Sequence, residues 1–152
     1  MRHFEHRIPP PVVALVLAAL MWAVSGYGPA VGIPSAARLP LAIVIALVGV
    51  TFDLLGLIAF RRSRTTINPL RPGNASALVT DGIYRVTRNP MYVGLALLLL
   101  AWAAYLDAAW ALVGPVLFVA GITRFQIVPE ERVLRARFAA FDAYAARVRR
   151  WL

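Results

Sequence analysis

The stretch Leu41–Arg64, LAIVIALVGVTFDLLGLIAFRRSR, sets the architecture. From Leu41 to Phe60 it carries one ionisable side chain, Asp53, and it then stops on Arg61-Arg62-Ser63-Arg64. About twenty apolar residues in helical conformation cross a hydrocarbon core of about 30 Å. The run is no local accident. The 152 residues are 61% hydrophobic and 15% charged, with a mean hydropathy of +0.71, whereas a soluble domain carries about 25% charge. The surplus apolar surface calls for lipid. The length suits one domain, 1–152.

Upstream, Val12–Val24 begins a second apolar run, predicted as a membrane helix over 12–25. It follows the lead MRHFEHRIPPP, whose last proline can open a helix. Ala23-Val24-Ser25 resembles a cleavage site for a secretory signal. The triple proline and the membrane character of the remaining chain argue against removal. Gly26–Pro40, rich in Gly and Pro, reads as a loop before the helix at 41–60. Downstream, Thr65–Asn89 is a polar connection punctuated by Asn68-Pro69, Arg71–Asn74 and Asp81-Gly82. Two short runs follow, Met91–Leu106 and Ala108–Ile122. Asp107 divides them, which predicts a hairpin over 91–122, and Gly114-Pro115 predicts a kink in its second arm. Beyond Pro129 the apolar residues Val133, Leu134, Phe138, Phe141, Tyr144 and Val148 recur at helical steps between arginines. They predict an amphipathic helix over 129–150 that lies on the membrane surface or covers a site. The expected fold is therefore an all-α, multi-pass membrane bundle of about four spans plus a C-terminal amphipathic helix.

The net charge is +9, and all sixteen basic residues are arginine. With four crossings, the lead, the connection after the second span and the tail from Arg124 share one side. Only Arg38 falls on the other. By the positive-inside rule the arginine side is cytoplasmic, so both termini are expected there, in what reads as a bacterial inner membrane. Arginines clustered at the ends of apolar runs suit topology and anionic lipids better than nucleic acid. The absence of cysteine excludes thiol catalysis and cysteine-ligated metal. His3 and His6, with Glu5, do not make a metal site.

Chemistry concentrates in Gly82–Gly94, GIYRVTRNPMYVG. Pro90 suits the first position of a helix and Asn89 its cap. Free N–H groups there, with Arg85 and Arg88 just before, read either as a pocket for a carboxylate or phosphate or as an ordinary cap with topogenic arginines. Tyr84 and Tyr92 either anchor at the interface or face a cation such as a sulfonium. Glu130 and Glu131, preceded by Arg124, either serve the dipole of a helix start or hold an amine or ribose hydroxyl, or pair with Arg85 or Arg88. The hairpin returns both stretches to one membrane face. Asp53, an acid inside an apolar run, is either functional or paired with Arg124 or another arginine of the inner face.

Taken in order, these blocks resemble the integral-membrane methyltransferases related to isoprenylcysteine carboxyl methyltransferase and phospholipid N-methyltransferase. The resemblance spans about Thr65–Leu152. Gly82, Tyr84, Arg88, Asn89, Pro90, Tyr92 and Gly94 match the core motif. Glu130, Glu131 and Leu134 match a second motif, and Phe138, Phe141, Tyr144 and Val148 a tail pattern. It implies a non-Rossmann core over 65–152 that binds S-adenosylmethionine near the cytoplasmic ends of the hairpin. Leu78, Val79, Gly82, Tyr84, Arg88, Asn89, Tyr92 and Glu130 would contact the cofactor, with Arg124 and Glu131 in catalytic roles. Asn89 stands where the eukaryotic enzymes carry His, so no proton transfer is assigned to it. The implied acceptor is a lipophilic molecule from the bilayer: an isoprenylcysteine-type carboxylate, a lipid amine or a thiol. Membrane lipids are the expected surroundings. A membrane reductase using NAD(P)H through a related C-terminal core, and a non-enzymatic scaffold, are the competing readings.

Overall fold

The computed structural model describes residues 8–63 and 78–152. The lead with His3 and His6, and the turn signals at Asn68-Pro69 and Arg71–Asn74, lie outside the described residues. Among the described residues six α-helices follow in order: α1 Pro10–Val24, α2 Ser35–Arg62, α3 Pro90–Leu106, α4 Val113–Ile122, α5 Val128–Arg137 and α6 Phe141–Arg147. The chain is an all-α membrane bundle.

α2 has 28 residues and begins six positions before the run at 41–60. Gly26–Pro40 is therefore not all loop. Pro40 is the sixth residue of the helix, where its missing N–H gives up one intrahelical bond. The Arg38 side chain donates to the Ile33 carbonyl at 3.0 Å and ties down that first turn. α3 runs antiparallel to α2 against an almost bare seam. A Cβ on Gly49 would lie 2.9 Å from the Gly94 carbonyl oxygen, and one on Gly56 would lie 2.9 Å from Met91 Cγ. Small residues let membrane helices approach this closely. α3 is also the central helix, because α1 and α4 pack on its other side. Ala14, Met21, Leu99, Ala103, Ala111 and Phe118 are buried between them. Trp102 donates to the Ala18 carbonyl at 3.1 Å. The outer faces of α1, α2 and α4 expose Leu15, Leu20, Leu47, Leu54, Val116 and Leu117, which is the surface lipid requires.

The second arm of the hairpin is longer than its apolar run. A 3-10 turn at Ala109–Leu112, α4, a π-turn at Thr123–Ile127 and α5 join into one 29-residue helical stretch, Ala109–Arg137. The shortness expected of this arm is thus corrected. Gly114-Pro115 falls where the 3-10 turn passes into α4, and a Cβ on Gly114 would meet the Met21 side chain. A second irregularity lies at the π-turn.

At the hairpin tip Asp107 adopts φ 51 and is buried. Its Oδ1 accepts from Gly32 N at 3.0 Å and Ile33 N at 2.9 Å, and its Oδ2 pairs with Arg38. Backbone bonds from Val31 N to the Asp107 carbonyl and from Ala109 N to the Pro29 carbonyl complete the latch. Arg38, the lone arginine at this end among the described residues, is therefore a structural partner.

The single helix expected over 129–150 is two helices, α5 and α6, broken at Phe138, whose φ of −123 and ψ of 110 are extended. The break turns Phe138, Phe141 and Tyr144 inward onto Val79 and Tyr84. Burying Phe141 and Tyr144, with Phe138 packed beside them, outweighs a turn of continuous helix.

Candidate active site

The opposite, arginine-rich end gathers both motif stretches. Gly82 takes φ +60, a left-handed conformation that favours glycine, and starts the 3-10 turn Gly82–Arg85. This turn drops Tyr84 into the space between α2 and α6. Its ring meets Phe60 edge-on at 5.5 Å, and its carbonyl accepts from the Tyr144 hydroxyl at 2.7 Å. Burial, then Tyr144 and Glu130, push the Tyr84 phenol above its ordinary range, so the hydroxyl stays neutral.

Asn89 occupies the cap position of α3, but its side chain makes no capping bond. Its Nδ2 instead donates to the Arg150 carbonyl at 2.9 Å. Thr87 Oγ1 donates to the same carbonyl at 3.2 Å, and Arg88 N donates to the Arg149 carbonyl at 3.0 Å. Trp151 Nε1 donates to Thr123 Oγ1 at 3.0 Å. The tail is thus strapped across the start of α3 and the π-turn.

Beneath the strap lie two carboxylates with different surroundings. Glu130 Oε1 accepts from the Tyr92 hydroxyl at 2.8 Å and from Gln126 Nε2 at 3.1 Å. Among the described residues its hydrogen-bond partners are neutral. Glu131 meets two guanidiniums: Arg88 at 3.0 Å, and Arg150 through both oxygens at 3.0 and 2.7 Å. The Arg150 guanidinium is held above its ordinary range by that bond. Arg88 spends Nη1 on the Ala145 carbonyl, and its Nε is buried with no acceptor among the described residues. Neighbouring glutamates therefore do different things. Glu131 closes an ion cluster that locks the strap, while Glu130 is held by the Tyr92 hydroxyl and the Gln126 amide.

A family model described as phospholipid methyltransferase matches residues 37–140. The chain belongs to the phospholipid methyltransferase family. An uncharacterised protein of Haemophilus influenzae is 41% identical over 63 residues, which is 41% of this chain and 100% of that protein. No solved structure matches the chain.

Within this phospholipid methyltransferase-family protein, Tyr84, Arg88, Asn89, Tyr92, Glu130 and Glu131 converge, with Val79 and the half-buried Leu78 packed against Tyr84. Three expectations about contacts fare differently. Arg85 is exposed and pairs with Asp81 at 3.2 Å, so it does not join Arg88 in an anion pocket. Arg124 is exposed at the π-turn, its guanidinium 5.9 Å from the Phe125 ring. Asp53 packs against Gly94 and has no ion pair or hydrogen bond among the described residues, so pairing with Arg124 is not its role. Sequence reading also missed Thr87, Gln126, Arg150 and Trp151. Gln126 carried a signal, as a polar residue inside an apolar run and four before Glu130. Arg150 and Trp151 carried none, because tertiary folding alone returns them to the site.

Proposed function

We propose that this protein is an integral-membrane, S-adenosylmethionine-dependent methyltransferase acting on a lipophilic acceptor. The observation that carries the reading is the Glu130 carboxylate, held by Tyr92 and Gln126 beside the buried Tyr84, in a member of the phospholipid methyltransferase family. The donor set suits that cofactor. Glu130 would take an amino group or ribose hydroxyl, and the rings of Tyr84 and Tyr92 would face a sulfonium. The unpartnered Nε of Arg88 suits a carboxylate. Leu78, Val79 and Gly82 would flank the ligand, with Asn89 supplying a hydrogen bond that does not titrate.

When bound, the cofactor supplies an electrophilic methyl group. The protein's own residues then have to hold an acceptor in line with it and keep water out. Arg124 would orient an anionic group of the acceptor. Glu131 would fix the strap, through Arg88 and Arg150, over the reacting groups. The family description favours a phospholipid as the molecule that carries the carboxylate, amine or thiol acceptor. The asymmetry of the arginines supports a cytoplasmic site in a bacterial inner membrane.

Calorimetric titration of the purified protein with S-adenosylhomocysteine and with NADPH tests the reading. Micromolar binding of the first, weakened about ten-fold or more by Glu130→Ala, is expected. Asn89→Ala is expected to weaken it as well. Binding of NADPH alone would turn the assignment to a reductase, and binding of neither to a scaffold.

A further inference from the structure

The helical stretch that carries Glu130 changes pitch just before it reaches the site. Ile122, at the end of α4, is buried in the same core cluster as Tyr92. Glu130 follows eight residues later. In a regular helix of 3.6 residues per turn it would point about 80° away from the Ile122 face. The π-turn Thr123–Ile127 takes up one extra residue. That returns Glu130 to within about 20° of the Ile122 face, where the Tyr92 hydroxyl donates to its Oε1 at 2.8 Å.

The same turn buries an amide. Gln126 is 3% exposed, whereas Arg124 and Phe125 on the outer side of the turn are exposed. An amide inside an apolar arm is costly unless it is hydrogen-bonded. Gln126 Nε2 donates to Glu130 Oε1 at 3.1 Å, between residues four apart on one helical face. Two donors thus converge on Oε1, one from α3 and one from the π-turn. Oε2 makes no hydrogen bond among the described residues. We propose that Gln126 is a positioning residue: with Tyr92 it fixes the plane of the Glu130 carboxylate, so that Oε2 is aimed at a hydroxyl or ammonium of the bound ligand. A single donor at Oε1 would let the carboxylate swing about that bond, and an oriented ligand needs an oriented acceptor. That the ligand is S-adenosylmethionine rests on the methyltransferase reading. The hold of Gln126 on Glu130 does not.

The test is a double-mutant cycle on the full chain in detergent, read by calorimetric titration with S-adenosylhomocysteine. Gln126→Met removes the donor at nearly constant volume, so the fold should hold. It should weaken binding about ten-fold, the loss of one hydrogen bond at the site. In the Glu130→Ala background the same change should cost less than about two-fold, because the group it acts on is gone. Equal losses in both backgrounds, or no loss in either, would overturn the positioning role and leave Gln126 a core residue. A second measurement needs no ligand: the infrared carboxyl absorption of Glu130, isolated as the difference between the unsubstituted protein and Glu130→Ala. Gln126→Met should shift that band. A shifted band in a protein that does not bind S-adenosylhomocysteine would sink the cofactor reading and leave the hold on Glu130 standing. An unshifted band with binding intact would sink the positioning role alone.

Discussion

Glu130 and Glu131 are adjacent in sequence, yet their environments separate them. Removing the charge of Glu131 leaves Arg88 and Arg150 facing each other at the base of the strap. Glu131→Gln should cost about 3 kcal/mol, typical of breaking a largely buried pair from one side, and lower the thermal midpoint in detergent. Glu130→Gln keeps an oxygen for Tyr92 and Gln126. Its midpoint should move little, while S-adenosylhomocysteine affinity falls about ten-fold. Equal loss of stability in both variants would contradict the division of labour. Arg124 is a third case. It is exposed, so Arg124→Ala should change stability by less than about 0.5 kcal/mol. A fall in methyl transfer at an unchanged midpoint would then locate its role in the chemistry.

At the scale of elements, the α2–α3 seam brings Gly49 and Gly94 backbone to backbone. Hydrophobicity cannot drive helices together in lipid, so shape has to. Gly94→Leu would push its side chain into the Asp53 carboxylate and the Gly49 backbone. The expected loss is about 1–3 kcal/mol or more, read as a lower midpoint and early proteolysis between α2 and α3. Gly26→Ala, where no atom lies near the added methyl, is the control. The lengths of the apolar runs placed α1 and α3 closely, Pro10–Val24 and Pro90–Leu106. Sequence reading missed the early start of α2 because Pro40 reads as a breaker, although a proline near a helix start removes few bonds. It also missed the break between α5 and α6. Helical spacing continues through Phe138, and only contact with Val79 and Tyr84 makes an extended residue favourable there.

At the scale of the whole molecule, the two ends are closed by different means. The far end is held by Asp107, which satisfies two backbone N–H groups and Arg38 at once. Asp107→Ala removes all three partners and should destabilise the protein by about 3 kcal/mol. Arg38→Gln leaves the two backbone bonds and should cost less, a ranking that thermal unfolding in detergent checks. Topology is the second prediction at this scale. A phosphatase fused after Leu152 should be inactive, as a cytoplasmic terminus requires, and one inserted in the loop after Tyr27 should be active. The opposite result would reverse the assigned sides.

The amino-acid sequence alone determined that the chain is a helical membrane bundle, because apolar runs of spanning length have one stable solution in lipid. It also determined the order of the motifs and their return to one face, because a hairpin leaves its ends together. Tertiary structure decided which glutamate is neutralised by arginines and which is left beside tyrosines, since that depends on where Arg150 lands after two helices and a turn. It likewise decided that Asn89 secures the tail and that Arg38 belongs to Asp107. Such pairings are set by three-dimensional distance between residues far apart in the chain, and no local spacing encodes them.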